Sequence, residues 1–188
     1  MLEKIWNKKP TQQVEQDRSR VFETTVLPYI SSGYNLARWL TRNEQDAEDA
    51  LQEASLRAWR AFDTFQPGRN GRAWFMAIVR NTCRTLRGQK QGREVEMEFE
   101  DDSQVADSWL DPEALLIREA NLQLVHQALE ELPFEYREII VLRELEELSY
   151  KEIAKIVDIP LGTVMSRLSR ARRELYARLC DAGGEITR

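Results

Sequence analysis

A run of acids divides this chain. Residues 93 to 112 hold eight acids against one base, and seven of the acids fall between Glu94 and Asp107. Such a stretch repels itself and buries little, so it reads as a flexible acidic linker. The alternation of Val95, Met97 and Phe99 is strand-like, but like charges between those residues and the lack of a partner hairpin oppose a strand. The 188 residues are therefore expected to form two small domains rather than one core. The division runs as a mobile arm over 1–20 with room for a short helix, a first domain over 21–92, the linker over 93–112, a second domain over 113–180 and a tail over 181–188.

The net charge of −5 conceals a partition. Residues 1–92 carry 15 bases and 10 acids, residues 113–148 carry 3 and 9, and residues 149–188 carry 8 and 5. Two basic regions flank an acidic middle. With 42% apolar residues, 8 Gly and 6 Pro, the chain is too apolar to be wholly disordered and too poor in Gly and Pro to be fibrous. Cys83 and Cys180 have no CxxC spacing and His126 stands alone, so neither a disulfide framework nor a metal cluster is expected. Residues 1–20 hold no apolar run of signal-peptide length, and nowhere do 18 apolar residues follow one another. The expectation is a cytoplasmic chain with no membrane insertion. It has no GxxxxGK[ST] loop and no GxSxG elbow, and Cys83 reads as a small buried side chain, so no catalytic set and no cofactor is expected.

Both halves read as helical, which makes the fold class all-α. Apolar positions from Val21 to Trp39 suggest a helix bent or broken near Pro28 and Gly33. Asn43 and the acidic turn after it start a long helix through Ala47, Ala50, Ala54, Ala58 and Trp59. FQPGRNG is a turn, and a helix with a basic face resumes through Trp74, Ile78, Val79, Cys83 and Leu86. Beyond the linker, Asp111 and Pro112 cap a helix with Leu115, Leu116, Leu122, Val125 and Leu129 on or near one face. Pro133 starts another, FEYREIIVLRELEEL, and Ser149 with Glu152 makes a capping box for a third.

SYKEIAKIV, DIPLG and TVMSRLSRARREL then spell a helix-turn-helix. Ile153, Ala154 and Val157 face inward from its first helix, Ile159 fills the turn, and Val164 and Leu168 anchor the second. Met165, Ser166, Ser169, Arg170 and Arg173 take the more exposed faces. Four arginines and no acid occur between Ile159 and Arg173, so this helix can present donors to base edges or phosphates in a major groove. The amides opened by Gly162 and Thr163 add a phosphate site. A helical hairpin with a polar outer face would share part of this pattern.

Between Phe65 and Arg93 lie seven bases without an acid: Arg69, Arg72, Arg80, Arg84, Arg87, Lys90 and Arg93. Trp74 and Phe75 sit inside the stripe beside a polar turn, the mixture that stacks or pockets unpaired bases while arginines hold the backbone. Trp74 itself reads chiefly as a packing residue, which leaves Asn70 with the functional weight. The preceding helix carries Glu44, Asp46, Glu48, Asp49 and Glu53, a surface that repels DNA. Protein docking and ordinary solvation account for it equally well.

The order and separation of these two constellations resemble the extracytoplasmic-function group of bacterial sigma-70-type sigma factors, from about Val21 to Leu179. DAEDALQEASLRAWRAFDTFQPGRNGRAWFMAIVRNTC is similar to the family's region two, and LPFEYREIIVLRELEELSYKEIAKIVDIPLGTVMSRLSRARREL to region four. The resemblance implies a subunit that binds core RNA polymerase, recognises the −35 and −10 promoter elements and promotes local melting. It implies that the acidic face docks on the clamp helices of the largest polymerase subunit through Asp49, Gln52, Glu53 and Leu56, with support from Trp59. It assigns −10 DNA to Arg69, Asn70, Arg80, Asn81 and Arg84, the loop from Phe65 to Gly71 capturing a flipped base. It assigns −35 DNA to Thr163, Ser166, Arg167, Arg170 and Arg173, with Arg167 and Arg172 open between phosphate contact and packing. Met165 stands where several relatives carry a basic or polar reader, so base preference does not transfer. Many relatives are held by an anti-sigma protein, which is a further partner on this resemblance.

Two other readings share some of these features. A DNA-binding repressor or activator would use the helix-turn-helix without needing the docking helix or the melting loop. A decoy would bind polymerase or an anti-sigma protein with weak DNA contacts, against which the arginines of both halves argue. The acidic connector could keep the basic faces apart or shield one of them.

Overall fold

The computed structural model describes residues 12–66, 68–90 and 112–181, which form helices joined by short turns with no strand among them. The all-α expectation holds. The linker with its strand-like alternation, the Asp111 cap, residues 1–11 and the tail after Asp181 lie outside the described residues.

Helix α1 (Gln12–Val26) passes through a 3-10 turn at Leu27–Tyr29 into α2 (Ile30–Thr41). The break falls at Pro28, which has no N–H to continue the helical ladder. Gly33 does not interrupt α2. It permits close packing, because a Cβ there would lie 2.8 Å from the Phe75 ring and 3.2 Å from Leu51 Cδ1. The amino-terminal arm does not extend over 12–20, which belongs to α1. Arg18 anchors it: Nε meets Asp63 Oδ1 at 2.9 Å, NH2 donates to the Trp59 carbonyl at 2.7 Å, and the guanidinium lies over the Trp59 ring at 4.2 Å.

Helix α3 (Glu44–Ala61) starts at Asn43, whose Oδ1 accepts from the Asp46 amide at 2.9 Å. Its inner stripe is Ala47, Ala50, Ala54 and Ala58, all fully buried. Side chains this small let α2 and α4 (Gly71–Lys90) approach closely, and α4 fills the space with Phe75, Met76, Val79 and Cys83. Burial pushes the Cys83 thiol up to about 12, so it behaves as a small apolar residue.

The second unit comprises α5 (Pro112–Glu130), α6 (Phe134–Ile140), α7 (Tyr150–Val157) and α8 (Leu161–Asp181). Of the apolar face expected along α5, Leu129 is buried and Leu122 and Val125 are exposed, and the side chains of Leu115 and Leu116 lie outside the described residues. On the same helix His126 lies against Trp39 of α2 with the rings tilted by 34° and centroids 4.3 Å apart. The long helix expected after Pro133 changes pitch after Ile140. Val141–Leu145 is π-helical, Glu146 N–H donates to the Val141 carbonyl at 3.0 Å, and Leu145 turns to solvent. The Ser149–Glu152 capping box is present as expected. Ile153 and Val157 are buried with Ile156, while Ala154 is half-buried.

The two units do not stand apart. Helix α4 packs on α7 and α2 on α6, and their buried side chains run into one hydrophobic cluster. The basic stripe of α4 is thereby turned toward the acidic stretch around α6.

Candidate nucleic-acid interface

The helix-turn-helix is built from its caps. Asp158 closes α7 in the left-handed region (φ 56°), and the Ile159 amide donates to the Ala154 carbonyl at 3.1 Å. Val164, Leu168 and Ala171 then bury one stripe of α8. That rotation sets the opposite stripe. Met165, Ser166, Ser169, Arg170 and Arg173 are all exposed on it, and Thr163 is half-buried at its start. Ser166 Oγ donates to the Thr163 carbonyl at 3.1 Å. Arg172 is engaged elsewhere, its Nε and NH2 donating to Glu144 Oε1 at 3.0 and 2.6 Å. Those hydrogen bonds raise its pKa above the ordinary arginine value.

The loop before α4 is braced by aromatics. Phe62 and Phe65 stack with centroids 5.8 Å apart, and Phe65 meets Trp74 at 5.1 Å. Trp74 is a packing residue, as expected, and the rings fix where the loop begins. Arg69 and Asn70 follow at its exposed end. Asn70 Oδ1 accepts from the Ala73 amide at 3.0 Å and starts α4. Its Nδ2 donates to Glu152 Oε1 at 2.6 Å. Gly71 allows this tight entry, since a Cβ there would lie 2.9 Å from the Thr25 carbonyl oxygen.

Of the three polar residues expected on the DNA side of α4, Asn81 and Arg84 are exposed and Arg80 is buried. Arg80 Nε donates to Glu138 Oε2 at 2.7 Å and its NH2 to Oε1 at 3.2 Å. Its NH1 also donates to Asn81 Oδ1 at 3.2 Å. Arg167, from α8, approaches the same carboxylate at 3.5 Å. The structure thus gathers one expected −10 residue and one expected −35 residue around Glu138.

The acidic face of α3 is separate from all this. Asp49, Gln52 and Leu56 are exposed and Glu53 is half-buried, at spacings that place them on one side of the helix. Glu53 pairs with Arg57 at 2.7 Å. Leu56 is a large apolar side chain left in solvent on an otherwise charged surface.

Sequence reasoning missed Glu138 and Glu146, and placed Arg72 in the basic stripe without its partner. Arg72 NH2 donates to both the Glu146 carbonyl and its Oε2 at 2.8 Å. A signal for Glu138 existed: Phe134 and Leu142, four residues to either side, are buried, so the carboxylate occupies the apolar stripe of its helix. Among the described residues no group of three or more His, Cys, Asp and Glu could hold a metal ion, and no helix is long and apolar enough to cross a membrane.

Comparison with known proteins agrees with this geometry in both halves. Residues 26–93 match the family described as Sigma-70 region 2, and residues 122–175 match Sigma-70, region 4. The RNA polymerase sigma-H factor of Pseudomonas aeruginosa is 32% identical over 183 residues, covering 93% of this chain and 94% of that one. The ECF RNA polymerase sigma-E factor of Escherichia coli is 32% identical over 184 residues, covering 93% and 95%. Two solved structures are similar over most of the chain at 28% identity. The sigma factor RpoE in complex with the anti-sigma factor NepR from Bartonella quintana has a TM-score of 0.71, covering 90% of this chain and 99% of that one. CnrH in complex with the cytosolic domain of CnrY has a TM-score of 0.63, covering 89% and 94%.

Proposed function

Since the chain belongs to the extracytoplasmic-function branch of the sigma-70 family, whose members recognise promoters and start transcription through RNA polymerase, we propose that three of its surfaces divide that work. Asp49, Gln52, Glu53 and Leu56 on α3 dock on the clamp helices of the largest polymerase subunit. Arg69, Asn70, Arg80, Asn81 and Arg84 hold the opened −10 strand, and Thr163, Ser166, Arg167, Arg170 and Arg173 hold duplex −35 DNA. The carrying observation is the exposed α8 stripe of Ser166, Arg170 and Arg173 opposite its buried anchors, on a chain that also exposes the α3 carboxylates.

The division follows from charge. Arginines and helix-start amides attract phosphate, and forked guanidinium donors suit guanine edges in a major groove. The α3 carboxylates are repelled by DNA and require a protein partner. A flipped base gains roughly 1–3 kcal/mol by stacking, less than opening a whole bubble costs, so core polymerase supplies the remaining contacts. The chain itself catalyses no step and works in the cytoplasm, where polymerase carries out nucleotide transfer. An anti-sigma protein is a third partner on this reading, supported by the complexes in which the two similar structures were solved.

Footprinting tests the assignment. With core polymerase the chain should protect both promoter elements. Protection of the −35 element alone, unchanged by core, would contradict the docking role.

A further inference from the structure

We propose that Met165, with Leu161 one helical turn before it, reads the methyl groups of thymines in the major groove, which makes it a specificity-determining residue of this chain. The inference rests on the reading of α8 as the helix that meets duplex −35 DNA, and it deepens that reading by naming a base.

A recognition helix meets base edges with its amino-terminal residues. In α8 these are Leu161, Gly162, Thr163, Val164, Met165 and Ser166, and none of them carries a charge. Val164 is buried, and the Ser166 hydroxyl has already given its proton to the Thr163 carbonyl at 3.1 Å. The first guanidinium along the helix, that of Arg167, stands 3.5 Å from Glu138. The exposed arginines of the stripe, Arg170 and Arg173, come a turn or more after Met165. The amino end therefore offers no free fork donor for a guanine edge. What it exposes is apolar: Met165 keeps 48% of its surface in solvent and Leu161 keeps 37%. No acid occurs between Ile159 and Arg173, so this apolar pair can be pressed against a polyanion without a carboxylate beside it on the helix.

The two side chains are at i,i+4 spacing, on one side of α8 and about 6 Å apart along its axis, which is roughly two base-pair steps. Neither has a hydrogen-bond donor. Set against the amino group of cytosine or adenine, or against guanine O6, they would displace water and return no hydrogen bond. Thymine alone presents a methyl group in the major groove. The thioether chain of Met165 has three rotatable bonds and a polarizable sulfur, so it can close over that methyl without displacing the backbone. One methyl group taken from water in this way is worth about fourfold in affinity.

The test uses the full chain with core polymerase and a promoter that they open together, its −35 element randomised. Sequencing of the bound duplexes should show thymine enriched by the parent chain, and Met165→Ala should lose that enrichment at one position while keeping the rest of the element. Since Met165 is exposed, its truncation leaves the core intact. At that position thymine is then replaced by deoxyuridine, which keeps every hydrogen-bonding group and lacks only the methyl. In competition binding the parent should hold the deoxyuridine duplex about fourfold more weakly than the thymine duplex, and Met165→Ala should hold the two equally. Equal binding by the parent overturns the inference, and so does a deoxyuridine penalty that persists in Met165→Ala. Arg170→Ala separates this from the reading beneath it. If Arg170→Ala alters the selected element and Met165→Ala leaves it unchanged, the methyl contact alone is wrong. If neither variant alters it, α8 is not the duplex reader and the inference falls with that reading.

Discussion

Asn70 of the first unit donates from Nδ2 to Glu152 Oε1 of the second at 2.6 Å, while its Oδ1 caps α4 by accepting from the Ala73 amide at 3.0 Å. One side chain is thus a helix cap, a contact between units and the candidate base-capture residue. Asn70→Ala should cost about 1 kcal/mol of stability through the lost cap and should also slow promoter opening. Asn70→Asp keeps a capping oxygen and separates the roles. It also sets a carboxylate against Glu152 in place of the Nδ2 donor, so the melting temperature should fall through that repulsion, and opening should still slow, as read by permanganate reactivity. Unchanged opening in Asn70→Asp would remove this residue from base capture.

Arg170 and Arg172 lie two residues apart on α8 and differ in their surroundings. Arg170 is exposed on the proposed DNA stripe, whereas Arg172 is already held by Glu144 at 2.6 Å. Arg170→Ala should weaken duplex −35 binding by about 1–3 kcal/mol, and Arg172→Ala should change it little. Anisotropy titrations on an isolated −35 duplex compare them directly.

Glu53→Arg reverses charge on the α3 face and sets two arginines at i,i+4 spacing with Arg57. The lost surface pair stabilises the helix by about 0.3–0.5 kcal/mol, so folding should be nearly unaffected. Affinity for core polymerase should fall at least about tenfold if Glu53 is in the docking surface. Equal affinity in a pull-down titration would exclude it.

Gly33→Ala tests the packing that positions the DNA-facing helix. The added Cβ would approach Phe75, which is fully buried, to 2.8 Å and Leu51 Cδ1 to 3.2 Å. A loss of about 1–3 kcal/mol in chemical denaturation is expected.

The start of the helix-turn-helix should be acid-sensitive. The Glu152 pKa is lowered, chiefly by the Ser149 side-chain hydrogen bond and then by its backbone N–H, with smaller help from Asn70 and Arg72 against the cost of burial. A carboxyl with a depressed folded pKa contributes stability above its ordinary value of 4.5, and that contribution is lost as pH falls through the lower folded value. Glu152→Gln should flatten the decline in melting temperature over that acid range. An identical pH profile in the variant would contradict the assignment.

Local signals were legible wherever one helix could satisfy itself. The Ala47, Ala50, Ala54 and Ala58 stripe, the Asn43 cap and the Ser149–Glu152 box follow from spacing along the chain, and so does the break at Pro28. Leu122 and Val125 stay exposed although Leu129 is buried, because burial along α5 is set by where α8 and Trp39 meet it, which spacing along the chain does not encode. Helix α1 reached back to Gln12 because Arg18 found Trp59 and Asp63, contacts no local pattern encodes. Arg80 looks like Arg84 in sequence, and Arg167 lies on the same arginine-rich helix as Arg170. Only the fold brings Glu138 between Arg80 and Arg167, which is why the burial of Arg80 is not legible in the sequence, while Arg167 stands open there between phosphate contact and packing.

The most direct measurement is promoter opening, followed by permanganate reactivity with core polymerase and the full chain. The account predicts opening at a specific promoter only when both are present. It also predicts loss of that opening when Asn70→Asp and Arg170→Ala are combined in a chain that remains folded and bound to core. Specific opening at undiminished rate by that double variant would contradict it.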